Sequence, residues 1–198
     1  MARTIAKDHD HKRTQILTSA AKVFAEQGFD RASMTQLARE CGISKANIYH
    51  YYDSKDAVLF GVLDTYLCEL RDRVCSVDVT GLVPDQRLRR IVSEILLAYQ
   101  GADNEHQVQI SAMSALPEPQ QALLRGYQRE LVHLVSDALA AVASDEIAQD
   151  PAKLRATTMS VFGMLNWYYM WNSGTGPEAR EGYAEMVADL TMNGIKGQ

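Results

Sequence analysis

The chain has 198 residues, enough for one substantial core or for a small domain fused to a larger one. With 46% hydrophobic and 23% charged residues it lies outside the disordered, collagen-like and disulfide-dense classes, so a packed fold is expected. The net charge of -5 argues against a nucleic-acid binder until it is divided: residues 1–60 hold nine Lys/Arg against seven Asp/Glu, residues 61–198 eleven against eighteen. A mildly basic head on an acidic body suits a protein that meets phosphates with one face only.

No apolar run reaches the roughly 20 residues of a membrane-spanning helix. The richest, residues 161–171, is short and interrupted by Gly163 and Asn166. Residues 1–13 are polar and hold no secretory segment, so no membrane partner and a cytoplasmic location are expected. Cys41, Cys68 and Cys75 are odd in number and lie in no CxxC or Cys/His cluster. Neither a disulfide framework nor a metal site is suggested, and buried thiols are the expectation.

Apolar residues recur at helical spacing almost throughout, and no stretch alternates as a strand would, which predicts an all-α fold. After a flexible tail over residues 1–11, a first helix over residues 12–27 places Ile16, Ala20, Val23 and Phe24 on one face and stops at Gly28. Two short helices follow. A fourth, from Ser54 through Val58, Val62, Tyr66 and Leu70 toward Val74, joins head to body. Pro84 opens a helix whose Leu88, Ile91, Val92, Ile95 and Tyr99 form one stripe. Helices over residues 105–116, 119–142, 151–171 and 178–195 complete a count of about nine.

The functional signal lies at residues 33–52. Ser33 and Gln36 have the S-x-x-Q spacing of a capping box, in which each side chain satisfies a free amide at a helix start. Leu37, Ala38 and Cys41 supply the inward face, Gly42 gives the turn, Ile43 fills the corner, and Ser44 caps the next helix. This is a helix-turn-helix. The second helix, over residues 45–51, buries Ile48 and leaves Lys45, Ala46, Asn47, Tyr49, His50 and Tyr51 outward. Entering the major groove by its N-terminus, it presents residues 44–47 to base edges; Asn47 can donate and accept, and Ala46 can meet a thymine methyl. Tyr49, Tyr51 and Lys55 suit phosphates, which fix position without reading sequence.

From Ile43 to Asp56 the chain resembles the signature around the recognition helix of the TetR (tetracycline repressor) family. Tyr52 stands where Phe is more usual, and Ala46-Asn47 where Gly-Thr is common. The resemblance implies a helix-turn-helix domain over residues 12–55 and a helical effector-binding and dimerisation domain over residues 56–198. The implied DNA-facing set is Thr35, Ser44, Lys45, Ala46, Asn47, Tyr49, His50, Tyr51 and Lys55. It also implies a homodimer through the last two helices, a near-palindromic double-stranded DNA operator, and release by a small molecule acting through the fourth helix. A ligand-independent DNA-binding protein or an activator fits the same motif.

Residues 163–174 gather both tryptophans and two tyrosines on one helix, the usual mark of core or dimer packing. Asn166 there needs a partner, across an interface or in a pocket. The segment also resembles that of TetR-type regulators responsive to acyl-CoA thioesters. On that resemblance, Tyr66, Leu70, Tyr99, Met113, Tyr127, Asn166 and Trp167 are the candidate ligand-binding residues. Arg87, Arg89, Arg90, Arg125 and Arg129 are candidates for nucleotide phosphates, set against the ordinary exposed role of arginine. No cofactor is expected beyond such an effector.

An enzyme is disfavoured. No phosphate loop, metal-binding pair, GxSxG elbow or recognisable carboxylate pair is present. The five histidines are dispersed, with His9 and His11 in the tail, His50 on the recognition helix, and His106 and His133 alone on helices.

Overall fold

The computed structural model describes the backbone of residues 2–172 and 176–196, and the side chains of residues 9–172 and 176–194. These residues form eleven α-helices and no strand. In order they are α1 (Ala2–Gln27), α2 (Met34–Glu40), α3 (Lys45–Ile48), α4 (Lys55–Cys75), α5 (Pro84–Ala98), α6 (Asp103–Ala112), α7 (Glu118–Ala140), α8 (Asp145–Ala148), α9 (Pro151–Asn166), α10 (Tyr168–Trp171) and α11 (Pro177–Lys196). A single 3-10 turn, Met113–Ala115, links α6 to α7. Among the described residues, no helix is long and apolar enough to cross a membrane.

Two departures from the expected elements stand out. Residues 2–11, expected as a flexible tail, continue α1 as helix; they hold no Gly or Pro to stop it, but also no apolar stripe to announce it. The count rises because α8 and α10 are single four-residue turns, too short for a 3.6-residue period to register.

The chain packs as two compact units. One comprises residues up to Leu67 with Asn104–Leu124, the other Cys68–Asp103 with residues from Arg125 onward. The first therefore takes in the start of α4 and most of α6, beyond the boundary drawn after Lys55.

In the first unit, α1 packs on α2 and α2 on α3. Ile16, Ala20, Leu37, Ala38 and Ile48 are at most 2% exposed, as are Val58, Leu59 and Leu63 of α4. Each aliphatic of Val or Leu size so buried contributes roughly 1.5–3 kcal/mol of transfer free energy. Gly61 permits close approach on α4: a Cβ there would lie 3.0 Å from Leu17 Cδ2 and 3.1 Å from Tyr52 Cε1.

In the second unit α5 lies along α11, and α9 contacts α11, α8 and α10. Leu88, Ile91, Val92, Ile95 and Leu96 of α5 are buried, as are Ala184, Val187, Ala188 and Met192 of α11. Arg89 reaches across this pair to Glu185 and Asp189. Arg180, fully buried on α11, donates to Leu96 O at 3.3 Å, lies 3.6 Å from the Asp103 carboxylate and sits over the Tyr168 ring.

Candidate nucleic-acid interface

The head is built from caps outward. Ser33 Oγ accepts from Gln36 N at 3.3 Å, and Ser33 N donates to Gln36 Oε1 at 2.8 Å, which completes the capping box at the start of α2. Gln36 Nε2 also donates to Gln27 Oε1, so the cap is tied to the end of α1. Lys22 adds a second tie by pairing with Glu40 at 2.6 Å; their contact holds the Glu40 carboxyl below its ordinary range.

The turn follows at Gly42, whose φ of +67° is the left-handed conformation that glycine takes without penalty. Ile43 N donates to Ala38 O, and Gln15 Nε2 of α1 donates to Cys41 O. Ser44 Oγ then accepts from Asn47 N at 3.1 Å and starts α3. Regular α-helix ends at Ile48, but the coil goes on as a tight turn, with His50 N bonded to Asn47 O and Tyr51 N to Ile48 O. The expected helix over residues 45–51 is thus α-helical for one turn and three-residue-bonded for the next.

Ile48 is fully buried and Tyr52 nearly so, as the outward reading of α3 requires. Thr35, Ser44, Lys45, Ala46 and His50 are exposed, and Tyr49 is 43% exposed. Asn47 is half-buried. Tyr51 is also half-buried, its ring 4.9 Å from that of His9 on the helical extension of α1. That pairing was hidden in the sequence, since residues 1–11 were expected to be a tail.

Lys55 differs from its expected role. Its ammonium donates to the carbonyls of Phe29 at 2.7 Å, Ala32 at 3.1 Å and Asp30 at 3.2 Å, and lies 4.3 Å from the Phe29 ring centroid. An ammonium has three N–H donors, and here all three face backbone oxygens. In this structure Lys55 is an internal contact of the head rather than a side chain presented outward.

The candidate ligand residues divide between the units. Tyr66 and Met113 belong to the first, Leu70, Tyr99, Tyr127, Asn166 and Trp167 to the second. In the first, Tyr66 Oη and His106 Nδ1 are 2.9 Å apart and both side chains are buried, so His106 is one the sequence left without a role. In the second, Tyr99 Oη donates to Asn166 Oδ1 at 2.7 Å, the partner that Asn166 was expected to need. Burial pushes the Tyr99 phenol well above its ordinary range, so it stays a neutral donor. Leu70 is buried, Met113 and Tyr127 are half-buried, and the Arg71 guanidinium lies over the Tyr127 ring.

Trp167 is 55% exposed, at the break between α9 and α10, which does not suit the wall of an enclosed pocket in this chain. Among the candidate phosphate-binding arginines, Arg89 pairs with Glu185 and Asp189, and Arg90 with Glu94. Of the thiols only Cys41 is buried, and burial raises it; Cys68 is half-buried and Cys75 exposed, so the expectation of three buried thiols is corrected. Among the described residues no cluster of His, Cys, Asp and Glu could hold a metal ion.

Comparison with known proteins agrees with this geometry. Residues 16–62 match the family described as bacterial regulatory proteins, tetR family, and residues 81–195 match the tetracyclin repressor-like C-terminal domain. A TetR-family transcriptional regulator from Bordetella parapertussis 12822 is 35% identical, with a TM-score of 0.84 over 91% of this chain and 94% of that one. The HTH-type transcriptional repressor KstR2 of Rhodococcus jostii (strain RHA1) is 28% identical over 126 residues, 64% of this chain and 53% of that protein. The structure of AibR in complex with isovaleryl coenzyme A and operator DNA is 21% identical, with a TM-score of 0.72 over 91% of this chain and 98% of that one, a likeness of fold. Matched stretches span between 27% and 53% of the length of four curated relatives. The family and these relatives are transcriptional regulators, not enzymes. With one family match on the helix-turn-helix and another spanning more than half of the chain, this protein belongs to the TetR family of transcriptional regulators.

Proposed function

We propose that the protein is a repressor that binds a near-palindromic operator as a homodimer and releases it when a small molecule, an acyl-CoA thioester, occupies the helical body. The observation that carries the DNA half of this reading is the outward face of α3 and its following turn. Lys45, Ala46, Tyr49 and His50 are exposed there, on a coil held from behind by Ile48 and capped by Ser44. A buried anchor with small, polar and cationic groups outward is what major-groove reading needs.

The repressor sign is supported by the relative KstR2, a transcriptional repressor, and the thioester class by the ligand in the AibR complex. Buried Tyr99 and half-buried Asn166 give the body a donor-acceptor pair that a polar ligand group can engage. The homodimer is supported by large apolar side chains that one chain leaves in water: Met159 on α9, Trp171 on α10, and Met186 and Leu190 on α11. A ligand acts as proposed only by binding the DNA-incompetent conformation more tightly, a coupling of about 1–3 kcal/mol in typical allosteric proteins.

The test is fluorescence anisotropy on the promoter next to the protein's own gene, titrated with acyl-CoA thioesters of graded chain length. Sequence-specific binding that one thioester weakens about 5- to 150-fold is the expected result. Binding that no thioester changes would remove the effector class, and equal affinity for random DNA would remove the operator.

A further inference from the structure

The turn between α1 and α2 is short and has few bonds of its own. Gly28, at a φ of +83°, ends α1, and Ala32 N donates back to Gly28 O and Phe29 O. The carbonyls of Phe29, Asp30 and Ala32 turn toward one point, and Lys55 Nζ occupies it. Phe29 closes one side of this site with its ring and packs edge-on against Phe24 of α1 at 5.3 Å. Across from the turn, Lys55 is the first residue of α4, whose start is capped by Ser54 Oγ accepting from Ala57 N at 3.0 Å. The turn leads directly into Ser33, the N-cap of α2.

We infer that Lys55 is a positioning residue of the DNA-binding head: its ammonium serves as an internal cation that fixes the α1–α2 turn, and so the start of the helix-turn-helix, to the first turn of α4. The inference rests on the DNA-binding reading for its consequence, though not for the clamp itself. Three carbonyls converging on a cation satisfy its three donors at once. A guanidinium cannot reproduce that convergence, because its donors form a planar fork. Lysine is therefore required for its shape as well as for its charge.

Two variants of the full chain, Lys55→Met and Lys55→Arg, separate this role from a phosphate anchor. For Lys55→Met, operator affinity is expected to fall at every salt concentration while the slope of log K against log salt stays that of the wild type. A phosphate anchor would instead flatten that slope by about 0.9 for each phosphate no longer neutralised, which would overturn the inference. Lys55→Arg is expected to lose affinity as well; wild-type affinity in Lys55→Arg would show that charge alone suffices, and would equally overturn it.

Hydrogen exchange of the free protein gives a readout that needs no DNA and does not depend on the operator being right. The amides of Ala32, Ser33 and Gln36 are expected to exchange about tenfold faster in Lys55→Met, the effect of losing a net hydrogen bond, while those of Val92 and Val187 in the other unit keep their protection. Unchanged exchange at Ala32 and Ser33 would refute the clamp. A wild-type chain that binds no operator yet shows the exchange difference would leave the clamp standing and remove the DNA reading alone.

Discussion

At the scale of single residues, the head separates side chains that read from side chains that hold. Asn47 stands between the two: its backbone amide donates to Ser44 Oγ, and its side chain is half-buried on the coil expected to face the groove. An asparagine amide can bond an adenine edge with two hydrogen bonds, worth about 1–3 kcal/mol of discrimination. Asn47→Ala is therefore expected to weaken operator binding by about that amount while affinity for random duplex stays nearly constant, as measured by anisotropy on both. Equal losses on the two DNAs would show that Asn47 holds α3 rather than reads a base. Ser44→Ala tests the holding role of the N-cap. Loss of an N-cap oxygen costs roughly 1 kcal/mol, and α3 is a single turn with little else to fix its start. The expected outcome is a lower thermal midpoint with operator and random DNA weakened together.

At the scale of elements, much was legible because it rests on local chemistry. The capping box at Ser33 and Gln36, the positive-φ turn at Gly42, the cap at Ser44 and the proline start of α5 are each set by a few neighbouring residues, and each was found where the sequence places it. What escaped depends on partners distant in sequence. Lys55 reads as a surface cation until the carbonyls of residues 29–32, more than twenty positions away, are seen around it. His106 reads as a lone helical histidine until Tyr66, forty positions back, is found against it. Arg180 reads as one more charge at the start of a helix; its burial against Leu96 O, Asp103 and Tyr168 is set by packing that no period reveals. Three substitutions test these elements. Gly42→Ala adds a Cβ that meets nothing within 4 Å, so its cost is the left-handed backbone alone, about 1–2 kcal/mol. It is expected to lower the denaturant midpoint without changing the slope. Asp103→Ala leaves a fully buried guanidinium without its carboxylate, and is expected to destabilise the second unit by less than the roughly 3–5 kcal/mol of a fully buried pair, because Asp103 is partly solvated. Arg180→Met in the same background should recover much of that loss, whereas a further loss would show that the guanidinium acts through Leu96 O and the Tyr168 ring.

At the scale of the molecule, the proposed regulation depends on a second copy of the chain, and the apolar residues left in water on the last helices are the surface proposed for it. Leu190 is 58% exposed, Met186 47% and Met159 46%, while Val187, Ala188 and Met192 of α11 are buried beneath. A helix with one apolar side covered by its own core and another left uncovered offers the second side to a partner, which is what the proposed homodimer requires. Leu190→Glu places a charge on the uncovered side. Because that position is exposed in the single chain, the substitution should change the stability of the isolated fold by no more than about 0.5 kcal/mol. Any large effect must then come from association. Sedimentation is expected to show monomer for Leu190→Glu at concentrations where the wild type is dimeric. Operator affinity should fall about 10²- to 10⁴-fold, the loss expected when binding of the second half-site ceases to be intramolecular. Binding to a single half-site should be unchanged, since the outward face of α3 lies in the other compact unit of the chain. If Leu190→Glu remains a dimer with wild-type operator affinity, the exposed faces of α9 and α11 are not the interface, and the homodimer must use another surface.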